Sequence, residues 1–189
     1  VTESAYNSTR KELTLFLMEE RKSIALIGPM GCGKSSVGHL LGIQLNWPWV
    51  DLDEWIEKHE SQSIKEIFDE KGEPYFRHLE EQNIALWTEQ SPMVFSMGGG
   101  APCDVKRWKL ISDNFYTVFI DVESEVLINR LENERKQRPL IADKDDWKSD
   151  YLDLLAKRRV YYEQADFILK SDRESPEETT QRILDHVLQ

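Results

Sequence analysis

The sequence predicts an α/β domain, a parallel five-stranded sheet covered by helices on both faces. Two observations carry the prediction. Short apolar runs alternate along the chain with longer amphipathic stretches, the pattern of successive β–α–β units. The composition, 40% hydrophobic and 10% aromatic over 189 residues, supplies one sizeable core, which fits a single domain.

Taken in order, Thr9-Arg10-Lys11-Glu12 has capping-box spacing, and Leu13, Phe16 and Leu17 follow at helical spacing. Residues 1–22 are therefore expected to form an N-terminal helical extension, with residues 23–189 as the main domain. Ser23 to Ile27 reads as a buried strand running into Gly28, with a helix after the glycine loop through Leu40, Leu41 and Leu45. Pro48 to Leu52 is expected to be the second strand. A helical pattern follows from Asp53 to Gln90, with a capping box at Ser63-Ile64-Lys65-Glu66 and a break at Gly72. Met93 to Met97 predicts a strand ending at three glycines, and Asp104 to Ser112 a helix. Tyr116 to Ile120 reads as a strand and Val126 to Glu134 as a helix. The polar, charged stretch from Arg135 to Asp146, containing Pro139, reads as a mobile loop. Asp150 to Ala165 predicts a helix and Phe167 to Leu169 the last strand. Ser175-Pro176-Glu177-Glu178 starts the final helix, with proline at the first helical position.

Lys and Arg number 24 against 35 Asp and Glu, a formal net charge of −11, which excludes the basic surface of a nucleic-acid binder. Cys32 and Cys103 form no metal-ligand spacing and no disulfide framework, as expected of a reducing compartment. No apolar run approaches the roughly 20 residues of a membrane span, and no signal-peptide pattern is present. The expectation is a cytoplasmic monomer with small-molecule partners, no nucleic acid and no membrane.

Gly28-Pro29-Met30-Gly31-Cys32-Gly33-Lys34-Ser35 fits G-x-x-x-x-G-K-[ST], between a predicted strand and a predicted helix. Glycines let the backbone wrap so that N–H groups point inward, and the helix N-terminus adds partial positive charge. The motif predicts nucleoside triphosphate binding, with Lys34 on the terminal phosphates and the Ser35 hydroxyl on Mg²⁺. Cys32 reads either as a small filler or as a thiol whose pKa the helix terminus lowers. Asp51-Leu52-Asp53, at the end of the second strand, places two carboxylates on one side of the sheet's edge. A kinase acting on an alcohol needs one acid to organise Mg²⁺ and another to accept the hydroxyl proton.

With Phe76-Arg77-His78-Leu79-Glu80, Gly98-Gly99-Gly100-Ala101, Arg138-Pro139-Leu140-Ile141 and Arg158-Arg159-Val160-Tyr161-Tyr162-Glu163-Gln164-Ala165-Asp166 in succession, residues 24–170 resemble shikimate kinase. The resemblance implies a P-loop NTPase of the nucleoside-monophosphate-kinase-like kind, three layers α/β/α, with a substrate-binding segment over about 51–81 and a lid over about 135–148. It implies ATP-dependent phosphorylation of the shikimate 3-hydroxyl, a step of aromatic amino acid biosynthesis, with Mg²⁺ as cofactor. By that match Asp53, Lys34 and Arg138 are catalytic. Gly31, Cys32, Gly33, Lys34, Ser35, Ser36 and Arg138 contact ATP, and Ser35 and Asp51 hold the metal, Asp51 through water. Arg77 and Arg158 grip the shikimate carboxylate, and Gly98, Gly99 and Gly100 approach the substrate. Phe68 and Phe76 either line its ring or belong to the core. Arg159 is the alternative to Arg158, since Val160 stands where the family often has proline. Arg130 or Arg135 stacks on adenine. Glu80 is placed to pair with Arg77.

Two other readings share these features. A gluconate or nucleotide kinase would keep Lys34 and Ser35 without the FRxxE and triple-glycine pieces, and a non-catalytic relative would keep the fold without turnover. Residues 51–81 hold 11 acids against four bases, a net −7, and Arg77 is their sole arginine.

Overall fold

The computed structural model describes residues 22–89, 92–132 and 146–187. The expected helix over 9–21, the lid residues Arg135 and Arg138, and most of the lid segment lie outside these residues. The elements are β1 (Ser23–Ile27), α1 (Lys34–Leu45), β2 (Trp49–Asp51), α2 (Leu52–Glu60), α3 (Ile64–Trp87), β3 (Val94–Ser96), α4 (Val105–Asn114), β4 (Phe115–Asp121), α5 (Ser124–Leu131), α6 (Trp147–Tyr162), β5 (Phe167–Lys170) and α7 (Pro176–Val187).

The strands form one sheet in the order β2-β3-β1-β4-β5, every pair parallel. β1 lies at the centre and is buried at all five residues, as an uninterrupted apolar run requires when both faces are covered. Alternate residues serve opposite cores. Ile24, Leu26, Val118 and Ile120 pack with Leu41 of α1 and Ile183 of α7 on one face. Ala25, Ile27, Phe95 and Phe119 pack with Ile56 of α2 and Ile84 of α3 on the other. The loops after β1, β2 and β3 therefore gather at the sheet's carboxyl edge, where open parallel sheets bind their ligands.

Three expectations need correction. β2 stops at Asp51, not Leu52, because the Asp51 carboxylate accepts from the N–H groups of Asp53 and Glu54 and caps α2. Asp53 thus lies in the first turn of a helix, and the same-face strand argument for the two acids fails. α6 begins at Trp147, inside the expected lid segment, and ends at Tyr162 short of Ala165. Asp146 accepts from the Ser149 N–H, while buried Trp147 and Tyr151 anchor that first turn in the core. α5 starts at Ser124, two residues before the apolar periodicity does. The break at Gly72 occurs as read, at φ 80°, ψ 165°, just before Pro74, and both halves of the Ser63–Glu66 capping box form.

Candidate active site

The phosphate end of the cleft is made mainly of main chain. Gly31 (φ 83°) and Gly33 (φ 99°) hold left-handed conformations that other residues adopt only with strain, and they turn the chain from β1 into α1. Lys34 Nζ folds back to donate to the carbonyls of Gly28 (3.0 Å) and Pro29 (2.9 Å), and lies 3.7 Å from Cys32 Sγ. An ammonium has three donors, and the third here meets only the weak thiol acceptor. Cys32 is buried, and its N–H donates to Pro29 O at 3.4 Å, which fits the filler role. Ser35 and Ser36 are exposed in the first turn of α1. Of the two arginines weighed for adenine, Arg130 donates from α5 to the Gly31 carbonyl at 3.1 Å; Arg135 lies outside the described residues.

Ser35 Oγ donates to Asp51 Oδ2 at 2.5 Å. The other Asp51 oxygen is committed to capping α2, so one carboxylate oxygen and one hydroxyl are presented together beside the phosphate loop. That pair suits a hard cation that keeps most of its water shell.

The substrate end is made of side chains pressed onto glycines. Arg77 Nη1 donates to Glu80 Oε2 at 2.7 Å, and its Nε and Nη2 donate to Glu73 Oε1 at 3.0 and 2.6 Å. Burial opposes the charge on Arg77, but Glu80 and Glu73 more than offset it and hold the guanidinium more firmly protonated than usual. Glu80 is fully buried, and among the described residues its Oε1 has no hydrogen-bond partner. Burial pushes its carboxyl above the ordinary range, against the pull of Arg77, Arg107 and Arg158.

The three glycines sit against this cluster. A Cβ on Gly98 would lie 2.5 Å from Asp53 Oδ1 and 2.9 Å from Glu80 Oε1. A Cβ on Gly100 would lie 2.5 Å from Arg77 Nη1 and 2.6 Å from Nη2, whereas one on Gly99 would meet Arg158 Nη1 only at 3.4 Å. At Gly98 and Gly100 the protein's own charged groups occupy the space a Cβ would take, which is a reason for glycine in addition to the ligand approach expected from the sequence. Arg158 is buried at this floor, whereas Arg159 is half-exposed and bound to Asp121 and Glu163. Of the two alternatives, Arg158 is the one in the cleft.

The resulting cavity, about 380 Å³, brings together Ser35, Asp51, Asp53, Phe68, Phe76, Arg77, Gly98, Gly99, Gly100 and Arg158. The rings of Phe68 and Phe76 meet at 5.1 Å and line the cavity, while Phe76 is also buried core. Sequence reasoning misses Glu54 and Glu57, which also line the cavity, and Glu73. Burial, then Asp51 and Glu57, raise the Glu54 carboxyl. Glu54 and Glu57, at one and four residues past Asp53, carry a signal in helical spacing that is obscured when Asp53 is taken as strand. Tyr162, which donates to the Gly99 carbonyl at 2.5 Å, stands in the sequence as a family landmark without a contact.

A family model for shikimate kinase matches residues 30–188. The shikimate kinase of Sulfurihydrogenibium sp. is 36% identical over 163 residues, 86% of this chain and 96% of its own. That of Aquifex aeolicus is 39% identical over 161 residues, 85% of this chain and 93% of its own. The structure is similar to that of shikimate kinase from Acinetobacter baumannii in complex with shikimate, with a TM-score of 0.86 and 27% identity over 93% of this chain and 97% of that one. With the glycine loop, the capped Asp51-Leu52-Asp53 turn and the two arginines over the triple glycine all opening on one cleft, the chain belongs to the shikimate kinase family.

Proposed function

We infer that the 380 Å³ cleft is the site at which this family member moves the γ-phosphoryl group of ATP to the 3-hydroxyl of shikimate. The activity, ATP-dependent phosphorylation of shikimate toward aromatic amino acids, is that of the family. The observation that supports the placement is the arrangement on the glycine floor. Two guanidiniums stand over the glycines, Arg77 at Gly100 and Arg158 at Gly99, with Asp53 at Gly98 and with Met30 and Ser35 of the phosphate loop lining the same cleft. An Arg fork matches a planar carboxylate, so the anionic end of shikimate goes to Arg77 and Arg158, and its hydroxyls face Asp53. Phe68 and Phe76 then cover the ring.

Asp53 holds the reacting hydroxyl and takes its proton as the oxygen attacks. Lys34 and the loop N–H groups hold the phosphates, and Arg138 from the lid completes the positive surround of the transferring group. Ser35 Oγ and Asp51 Oδ2 fit Mg²⁺, with Asp51 acting through water. An ion held by these two residues would neutralise phosphate charge. We place the enzyme in the cytoplasm as a monomer with no nucleic-acid or membrane partner. Its acidity and free Cys32 and Cys103 support this, and no helix among the described residues is long and apolar enough to cross a membrane.

The test is ADP release measured in parallel with shikimate, gluconate and AMP. Turnover is expected with shikimate; none above the ATP-only blank would overturn the reading, and turnover with gluconate or AMP instead would assign another acceptor.

A further inference from the structure

α6 returns from the lid segment to the sheet and carries Arg158 into the cleft, so its rotation and height decide where that guanidinium stands. Hydroxyls hold it near each end. Tyr151 Oη donates to the Met30 carbonyl at 2.8 Å, and Tyr162 Oη to the Gly99 carbonyl at 2.5 Å. Between these points Leu155 packs against the core. A cavity of about 360 Å³ opens there, bounded by Pro29, Phe119, Asp121, Leu155, Arg159 and Tyr162 among others. Across its wall runs a two-pronged ion pair. Arg159 Nη1 and Nη2 donate to the two oxygens of Asp121, each at 3.1 Å, while Nε donates to Glu163 at 2.6 Å. Asp121 ends β4 with its side chain only 11% exposed, and its carbonyl accepts from the Ser171 N–H at 2.9 Å, so the anchor is fixed to the sheet.

We propose that the Arg159–Asp121 pair is a positioning clamp for substrate binding: it fixes the rotation of α6 on β4 and thereby aims the neighbouring Arg158 at the shikimate carboxylate. A fork bound at both prongs restrains orientation as well as distance, which a single-point contact does not. Successive residues on a helix lie about 100° apart, so with Arg159 pinned to β4, Arg158 is directed over Gly99. The chain therefore uses two adjacent arginines differently, one on substrate and one on the frame that holds the first. The proposal rests on the reading that Arg158 contacts shikimate.

The test compares Arg159→Met, Arg159→Lys, Asp121→Asn, the Asp121→Asn/Arg159→Met double variant and Arg158→Ala, each with KM for both substrates, kcat and a melting curve. Arg159→Met is expected to raise KM for shikimate by roughly fivefold to tenfold, with kcat and KM for ATP within about twofold. Lysine, a point charge, should recover only part of the loss. The double variant should be no worse than Arg159→Met, because the two residues act as one unit and Asp121→Asn removes the carboxylate left unpaired. Should Arg159→Met not fold, the double variant and Arg159→Lys carry the same comparison. An unchanged KM for shikimate in the Arg159 variants, with Arg158→Ala raising it, overturns the clamp and leaves the carboxylate contact standing. Equal changes for ATP and shikimate overturn the clamp as a shikimate-specific device. An unchanged KM in Arg158→Ala overturns the reading beneath it and the clamp with it.

Discussion

The two ends of the cleft are built from different materials. At the phosphate end the main chain does most of the work: positive-φ glycines, a helix N-terminus, and one lysine held by carbonyls of its own loop. At the substrate end charged side chains from α2, α3 and α6 converge on three glycines, and each contact depends on others. A backbone site recognises what all nucleotides share, and its geometry is local in sequence. A side-chain site recognises one acceptor, and its parts come from residues up to about a hundred positions apart. The difference also shows in electrostatics. The substrate end places two arginines among Asp51, Asp53, Glu54, Glu57 and Glu80, so the acidity of residues 51–81 lies partly inside the cleft. There it sets the orientation of Arg77 through Glu80.

The largest expected effect separates the two ends outright. Asp53→Asn should lower kcat by roughly 10²- to 10⁴-fold, the usual contribution of a positioned base, while ATP affinity measured by titration stays at its parent value. Near-normal kcat would remove Asp53 from the chemistry. A parallel loss of ATP affinity would instead show that the ends are not separable.

Next come the glycines, which test whether the substrate end is set by space. None of Gly98, Gly99 and Gly100 has positive φ, so alanine at these positions is judged by its neighbours alone. Gly100→Ala drives a methyl into the Arg77 guanidinium, and Gly98→Ala drives one between Asp53 and Glu80. The first should raise KM for shikimate by roughly tenfold or more, as a displaced carboxylate ligand would, and the second should mainly lower kcat. Gly99→Ala meets only ordinary or slightly tight contact and should be the mildest of the three. If Gly99→Ala proves the worst, the glycines serve the ligand's approach and not the protein's own packing.

The same contrast separates what is legible in the amino-acid sequence from what is not. The strand–helix alternation, the sheet's five strands and the glycine loop follow from periodicities and spacings within one segment, and all appear in the fold. The Gly72 break and the Ser63 box are local too. The boundary at Leu52 fails through a competition between two local rules. Val50 and Asp51 read as strand, yet an aspartate before an acidic, apolar-spaced segment is also a good N-cap, and here the cap wins. Glu73 illustrates a different limit. It lies four residues before Arg77, but with Glu80 three residues after it the sequence offers two partners and no means of seeing that Arg77 takes both. The choice between Arg158 and Arg159 is similarly closed to sequence, because it depends on Asp121, some forty residues away on β4.

Glu80 gives a smaller effect with a definite sign. Its folded-state pKa is raised, chiefly by burial. Its contribution to stability is therefore fullest below its ordinary value of about 4.5 and is lost as pH rises through the folded value. Its contribution to binding runs the other way, since holding Arg77 requires the carboxylate, and that is lost as pH falls through the same value. The parent enzyme should show KM for shikimate rising on acidification from a pH above 4.5, and Glu80→Gln should flatten that limb. The melting temperature of Glu80→Gln relative to the parent should rise from pH 4.5 to pH 8. A difference independent of pH would mean that Glu80 does not titrate in the fold over this range.

The smallest effect concerns the other acid on Arg77. Glu73 is 49% exposed where Glu80 is fully buried, and it occupies the Nε–Nη2 edge of the fork. On the proposed function a bidentate substrate carboxylate needs an edge of that fork, so Glu73 is expected to compete for Arg77 where the buried Glu80 orients it. An i,i+4 helix pair is worth about 0.3–0.5 kcal/mol, which corresponds to roughly a twofold change in affinity. Glu73→Gln should therefore lower KM for shikimate by about twofold and leave KM for ATP alone. If KM rises instead, Glu73 belongs with Glu80 as a support, and the substrate carboxylate must approach Arg77 beside both acids without displacing either.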